Sequence, residues 1–286
     1  MNTTPVLASD ERFPRYVLGG THVRVLPPAS DGRQHSVFIG FPYAYEKDPT
    51  RKFPVLYLCD GFWDFAMMVG FYGNIIWEKA APEFFIVGLS YGGNQEHPKN
   101  DEWRHCDYLP QNKKFGRRDT DWTHKEYLSY LKDTIMPFVE SEYTIDGSYR
   151  VLGGCSIGGL FALSAMFREP KLFQGIIALN PPLDSYDGWI FHEERRLHDG
   201  NRQSLLEKLR WKSPVLLTKL FLSVAEYDTP ELKGQVEKLK KTLAGRAYKG
   251  LEIKHVTIPE EGHGASKAAG YSRGIRHAFS GYGIEG

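Results

Sequence analysis

Short apolar segments alternate with amphipathic segments along most of the chain, and this alternation constrains the fold more than any other feature. Several apolar runs are continuous, which is typical of strands buried on both faces. The predicted strands are residues 21–27, 35–41, 53–59, 84–89, 149–152, 176–179, 220–225 and 251–258, the first two as an antiparallel pair. The predicted helices are residues 125–140 (with a kink at Pro137), 157–168, 232–243 and 266–279. This order predicts an α/β fold with a mostly parallel sheet and helices on both faces.

The chain is predicted to form one domain over residues 1–286. Its hydrophobic content of 41% is enough for a sizeable core, and no linker rich in Pro, Gly or Ser divides it. Between two predicted strands, residues 184–212 carry several aromatic side chains, and we expect this segment to form a small cap.

Charge and cysteine content narrow the class of protein. Lys and Arg number 36 against 35 Asp and Glu, a balance that argues against nucleic acid or an anionic membrane as the main partner. Three widely spaced cysteines, Cys59, Cys106 and Cys155, fit a reducing compartment better than a disulfide framework. No apolar leader or segment of transmembrane length stands out, so we predict a cytoplasmic protein. A secretory leader removed from the mature chain would give the same pattern.

Residues Gly154-Cys155-Ser156-Ile157-Gly158 form a G-x-S-x-G pattern. The five letters alone are a weak signal, since a glycine-rich turn that caps a helix would look the same. Here the pattern follows a predicted strand and precedes a predicted helix, as in a nucleophile elbow, where flanking glycines let strand and helix approach closely. Ser156 is therefore the candidate nucleophile.

An acidic residue and a histidine follow the later strands. Reactive groups in such folds lie at the carboxyl ends of the strands, and Asp228 follows the strand at 220–225 while His263 follows the strand at 251–258. Ser156, Asp228 and His263 thus occur in the order of an α/β-hydrolase triad. The alternatives for the acid are Glu226, Asp184 and Asp187.

This triad predicts a mechanism. A serine hydroxyl is barely nucleophilic at neutral pH, so His263 would take its proton and later return it to the leaving group, while Asp228 orients the imidazole. The oxyanion needs two preorganised donors, which we assign to the backbone N–H groups of Ile157 and Phe62.

The substrate pocket is expected to form from two aromatic segments, residues 94–122 and residues 184–212. The first is predicted to be irregular, and a loop of that length in a compact domain is usually functional. The candidate substrate-binding residues are Trp63, Arg104, Tyr108 and Trp189. These rings could equally pack the cap onto the domain, and Arg104 could pair with Asp107 or another buried acid.

Metal and cofactor chemistry has little support in the sequence. His192 and His198 flank a charged stretch but lack a third ligand at a suitable spacing. We predict neither a metal nor a cofactor.

Residues 153–163, Gly-Gly-Cys-Ser-Ile-Gly-Gly-Leu-Phe-Ala-Leu, resemble the elbow of the enterochelin esterase-like group in the esterase D family. Weaker matches are residues 57–61, 104–110 (similar to R-x-x-D-Y-T-P), 222–228, 261–263 and 272–274. The resemblance implies an α/β-hydrolase fold and cleavage of a carboxylic ester. Residues 180–186 depart from the S-P-S-x-W-W of many relatives, so the resemblance does not carry the identity of the ester.

Two functional hypotheses follow. The first is a serine hydrolase that cleaves a small-molecule carboxylic ester through an acyl-enzyme, with acyltransferase and thioesterase as variants on the same triad. The second is a non-catalytic binding protein that retains the fold. Loss of a triad residue would favour the second, whereas all three positions are filled here. The oligomeric state stays open.

Overall fold

The computed structural model describes residues 17–93, 97–110, 122–200 and 215–283. Within these residues eight strands form one sheet in the order β1-β2-β4-β3-β5-β6-β7-β8. The strands are β1 Thr21–Val25, β2 His35–Gly40, β3 Phe53–Leu58, β4 Phe85–Tyr91, β5 Ile145–Cys155, β6 Gly175–Leu179, β7 Lys219–Ala225 and β8 Glu252–Ile258. Strand β2 pairs antiparallel with both β1 and β4, and the other pairs are parallel. The predicted fold class and the antiparallel first pair are confirmed.

The continuous apolar runs of the central strands are explained by burial on both faces. In β3, Val55 and Tyr57 pack into one hydrophobic cluster, while Leu56 and Leu58 pack into the other. All four side chains are fully buried. Alternate residues of a strand point to opposite faces, so such a strand contributes to both cores at once.

Helices cover the two faces. They are α1 Gly61–Trp77, α2 Asn100–Tyr108, α3 His124–Tyr130, α4 Met136–Glu142, α5 Ile157–Arg168, α6 Ser185–Asp199, α7 Pro230–Arg246 and α8 Lys267–Ala278. Helices α1 and α8 contribute to one core, and α2 to α7 contribute to the other. No helix of the described ranges is long and apolar enough to cross a membrane.

The structure corrects three local predictions. Helix α1 was not predicted; its apolar run is interrupted by Gly70 and Gly73, which favour no regular structure, and packing on the sheet decides the outcome. Helix α2 lies inside the segment predicted to be irregular, of which residues 94–96 and 111–121 lie outside the described residues. The predicted helix at 125–140 is interrupted by a π-helical turn, Leu131–Ile135, which ends two residues before Pro137. The wider turn accommodates a residue that cannot donate a backbone hydrogen bond.

The parallel register brings the carboxyl ends of β5 to β8 to one edge of the sheet. Cys155 pairs with Leu179, Leu179 with Ser223, and Ala225 with Ile258. The residues that follow these strands therefore meet at that edge.

Candidate active site

Ser156 is the single residue between β5 and α5. Its backbone has φ 56° and ψ −125°, a conformation that a residue with a side chain rarely adopts. A β-carbon on Gly154 would lie 2.4 Å from the carbonyl carbon of Gly158, so only glycine fits there. Tight packing at the turn thus holds Ser156 in a strained conformation at the amino terminus of α5.

His263 contacts Asp228 beyond the ends of β7 and β8. The imidazole Nδ1 lies 2.8 Å from Asp228 Oδ1, and because a carboxylate accepts, Nδ1 must donate. Asp228 Oδ2 accepts a second hydrogen bond, from the backbone N–H of Ala225 at 3.0 Å. The Asp228 side chain is 5% exposed and that of His263 is 42% exposed. The pair leaves Nε2 as the ring nitrogen that can accept a proton.

The other acidic candidates have different neighbours. Glu226 Oε2 accepts from the backbone N–H of Glu260 at 2.6 Å, which ties together the turns after β7 and β8. Asp184 lies at the start of α6, with its carboxylate 4.0 Å from Lys238 Nζ. Asp187 lies in a turn with φ 59° within the first residues of α6. The structure brings Asp228, and none of these three, to His263.

The proposed oxyanion donors are at two helix starts. Ile157 is the first residue of α5 and Phe62 the second residue of α1. N–H groups in the first turn of a helix have no partner within the helix, and the helix dipole favours negative charge there. At the start of α1, a β-carbon on Gly61 would lie 2.5 Å from the carbonyl carbon of Gly88. This close approach seats α1 against β4 and fixes where its first N–H groups lie.

Arg104 pairs with a buried acid, but with Asp60 rather than Asp107. Its Nε and one terminal nitrogen each lie 2.7 Å from a carboxylate oxygen of Asp60. The guanidinium also lies 5.2 Å from the ring of Trp63, which is 41% exposed. Asp107 is bound instead by Arg33, His35, Tyr91 and Trp122. The Asp60–Arg104 pair links α2 to the start of α1, a contact that the sequence left open.

Tyr108 and Trp189 lie in the interior. Tyr108 is 1% exposed, stacks on Phe161, and accepts a hydrogen bond from the backbone N–H of Asp60 at 3.1 Å. Trp189 is 8% exposed and lies 4.5 Å from the ring of His124. These positions favour the alternative in which the rings pack the covering segments onto the domain. Among the four substrate-binding candidates, Trp63 has the accessible ring.

A buried acid next to the site escaped the sequence analysis. Asp64, on α1, contacts Lys267 Nζ at 2.6 Å and accepts a hydrogen bond from Tyr271 at 3.0 Å. Burial raises the pKa of Asp64, and Lys267 opposes that rise. The contact joins α1, which carries Phe62, to α8, which follows His263. Nothing in the local sequence marks it, because the partners are 203 residues apart.

The cysteine beside the candidate nucleophile is not ionised at neutral pH. Burial raises the pKa of Cys155 to about 12. A thiol acts as a nucleophile only as the thiolate, so Cys155 is inert next to Ser156. Within the described ranges no group of three or more His, Cys, Asp or Glu could hold a metal ion.

A sheet of this strand order, with a strained serine after β5, an acid after β7 and a histidine after β8, defines the α/β-hydrolase class. The family model described as "Putative esterase" matches residues 29–266, and the chain belongs to this family.

Known relatives agree with this assignment. The ferri-bacillibactin esterase BesA of Bacillus subtilis (strain 168) is 25% identical over 275 residues, which cover 92% of this chain and 91% of BesA. The BES protein from Bacillus cereus has a similar fold, with a TM-score of 0.75, 20% identity and coverage of 92% and 96% of the two chains. The siderophore hydrolase EstB from Aspergillus nidulans has a TM-score of 0.73, 17% identity and coverage of 95% and 99%. The chain is a carboxylic-ester hydrolase, as predicted.

Proposed function

We propose that this esterase works through an acyl-enzyme on Ser156, with His263 as general base and acid and Asp228 as its orienting acid. The observation that carries the proposal is the 2.8 Å contact between His263 Nδ1 and a buried carboxylate. This contact fixes the tautomer, so Nε2 can take the serine proton.

The proposed reaction has two halves. Ser156 Oγ attacks the ester carbonyl as its proton passes to His263 Nε2, and the N–H groups of Ile157 and Phe62 stabilise the oxyanion. Collapse of the tetrahedral intermediate breaks the bond to the alcohol, which leaves with the proton from His263. Water then attacks the acyl-enzyme by the same route and releases the acid.

We further propose that the ester belongs to an iron-binding siderophore. The support is similarity: BesA is named for ferri-bacillibactin and EstB as a siderophore hydrolase. The accessible ring of Trp63, beside Arg104, offers a surface on which an aromatic group of such a substrate could stack.

The test is a Ser156→Ala variant, with Ser129→Ala as control because Ser129 is an exposed serine of α3. Turnover of p-nitrophenyl acetate should fall by about 10⁴–10⁶ in Ser156→Ala and stay unchanged in the control. An organophosphate probe should label the parent enzyme at Ser156, mapped by mass spectrometry, and should not label the variant. Unchanged turnover in Ser156→Ala would overturn the acyl-enzyme.

The substrate is tested separately, on ferric and iron-free bacillibactin, a feruloyl ester and an acyl thioester. We expect the highest kcat/KM for a siderophore ester. Hydrolysis of the simple esters by Ser156 without cleavage of either siderophore would overturn the siderophore assignment and leave the mechanism standing. Adding an alcohol acceptor to the same assays distinguishes an acyltransferase, which would form a new ester.

A further inference from the structure

Asn180 directly follows β6, the strand between those that lead to Ser156 and Asp228. It is fully buried, and its backbone lies in the left-handed region, with φ 47°. Its N–H donates to the carbonyl of Ser223 on β7, while the neighbouring Leu179 carbonyl accepts from the N–H of Ser156. The backbone at 179–180 therefore joins the two flanking strand ends.

The side chain of Asn180 binds the loop that carries the histidine. Its Nδ2 lies 2.7 Å from the carbonyl oxygen of His263 and 2.8 Å from Ser266 Oγ. Ser266 Oγ in turn donates to the same carbonyl at 3.2 Å. A carbonyl oxygen only accepts, so the amide must present its NH₂ group to His263. The thiol of Cys155 also donates weakly to this carbonyl, at 3.9 Å, so three side-chain donors converge on one main-chain atom, and the bond from the Asn180 amide is the shortest of them.

The loop around His263 is tied by main-chain hydrogen bonds on either side of the histidine, from the N–H of Tyr227 to the carbonyl of Glu261 at 3.0 Å and from the N–H of Ser266 to the carbonyl of Gly262 at 3.1 Å. In the described part of the chain, no atom beyond the adjacent residues lies within 4 Å of where a β-carbon on Gly262 or Gly264 would be. The imidazole itself is 42% exposed, and within the described ranges its one hydrogen-bonded partner is Asp228, at Nδ1. A ring held at one nitrogen can still swing if the backbone beneath it shifts. The bond from Asn180, the shortest of those to the His263 carbonyl, restricts that shift at the residue from which the side chain projects.

We propose that Asn180 is a positioning residue for His263, holding its carbonyl so that the imidazole keeps its orientation toward the nucleophile. This rests on the proposed function, in which His263 is the general base. Position 180 needs a residue that tolerates left-handed backbone and that can donate to the His263 carbonyl. Asparagine meets both requirements, because it adopts the left-handed region more readily than most residues and carries a short amide donor. Misplacing a catalytic group by about 1 Å can cost about 10²-fold in rate.

The first test compares Asn180→Gly with Asn180→Ala. Both lose the amide donor, whereas only alanine adds strain, since glycine adopts φ 47° freely. We expect kcat on p-nitrophenyl acetate to fall about 10–100-fold in both, with KM within about twofold of the parent. Full activity in Asn180→Gly with loss confined to Asn180→Ala would show that strain matters and would overturn the positioning role.

The second test is Asn180→Asp, which keeps the shape and replaces the donor with an acceptor. A buried carboxyl binds a proton more readily than an exposed one, and the protonated form can donate again. We expect the ratio of kcat in Asn180→Asp to kcat in the parent to rise as the pH falls. A ratio independent of pH would contradict the donor role, and this comparison also serves if the glycine variant fails to fold.

Matched Ser156→Ala and His263→Ala variants separate the two proposals. If they retain activity, the proposed function fails whatever Asn180 does. If they lose activity while Asn180→Gly keeps the parent kcat, the function stands and the positioning role is overturned. Thermal unfolding of each variant confirms that the comparison is made between folded proteins.

Discussion

Two carboxylates separated by one residue have different surroundings after β7. Asp228 is buried and contacts His263, whereas Glu226 holds the N–H of Glu260 at the neighbouring turn. Tyr227, between them, is 69% exposed. The turn sends one acid inward and the other along the surface, so two similar side chains make different contacts.

Asp228→Asn should lower kcat by about 10²–10⁴, because an amide at this position no longer stabilises the imidazolium and favours the wrong tautomer. Glu226→Gln should leave kcat within about threefold of the parent value, since the Glu226 side chain binds the turn after β8 and does not contact His263. Steady-state kinetics on p-nitrophenyl acetate compare the two. A larger loss in Glu226→Gln would assign the orienting acid to Glu226 instead.

The three triad candidates could be predicted because each follows a strand, and strand ends converge at one edge of a parallel sheet. The residues that support them could not. Arg104 and Asp60 are 44 residues apart, and Asn180 and His263 are 83 apart. Such contacts depend on how loops from different strands meet, and no periodicity in the sequence encodes that. Residues 180–186, which begin with Asn180, differ from the sequence pattern of many relatives. That difference does not indicate that Asn180 binds the His263 carbonyl.

At the scale of the elements, the turn that carries Ser156 depends on how closely β5 and α5 approach. The would-be β-carbon of Gly154 falls 2.4 Å from the backbone of Gly158, and that of Gly159 falls 3.0 Å from the carbonyl oxygen of Gly154. Backbone atoms cannot move aside as a flexible side chain can. The glycines on both sides of Ser156 are therefore a condition of the turn itself.

Gly154→Ala should lower the free energy of unfolding by about 1–3 kcal/mol and reduce kcat as well, because the strand and helix must separate around Ser156. The control is Gly234→Ala, at an exposed position of α7 where, apart from the adjacent helix backbone, no described atom lies within 4 Å of the added carbon. Alanine there should stabilise the helix by about 0.5–1 kcal/mol. Urea unfolding measures the free energy of unfolding of both variants and of the parent. If Gly154→Ala and the parent have the same free energy of unfolding, the backbones of β5 and α5 lie farther apart at Gly154 and Gly158 than described.

The elements that could not be predicted from the sequence form where tertiary packing outweighs the local conformational preference of the residues. Helix α1 forms although Gly70 and Gly73 interrupt it, because Phe65, Met68, Tyr72 and Ile75 bury against the sheet. The π-helical turn at Leu131–Ile135 precedes Pro137, which the sequence marked as a kink without giving its form. The strands were easier to predict, since burial on both faces leaves a continuous apolar signature.

At the scale of the whole molecule, α6 is anchored to its layer by two buried acids. Glu193 pairs with Arg168 of α5 and lies 3.8 Å from His124 of α3. Glu194 pairs with Arg246 at the end of α7 and accepts a hydrogen bond from Tyr248 at 2.7 Å. The described part of the predicted cap is thus part of the helical layer, and residues 201–212 lie outside the described residues. That residues 1–286 form one domain stays a prediction.

The cluster around Glu193 makes stability depend on pH. Burial alone would raise the pKa of Glu193, but its interactions with His124 and Arg168 lower it to about 2, below the ordinary 4.5. Burial lowers the pKa of His124 below the ordinary 6.5. Both groups bind fewer protons in the folded protein than in the unfolded chain, so acid favours unfolding. The contribution of His124 is lost first, as pH falls below about 6.5, and that of Glu193 follows between about 4.5 and about 2.

His124→Gln should therefore flatten the fall of Tm between pH 7 and pH 5, because glutamine does not titrate. The control is His192→Gln, an exposed position on α6, which should leave the pH dependence of Tm as it is in the parent. Thermal unfolding at half-unit pH steps measures the slope for all three proteins. If the parent and His124→Gln lose Tm equally over this range, His124 ionises as readily in the folded protein as in the unfolded chain. Its burial between α3 and α6 would then contribute nothing to the acid sensitivity of the fold.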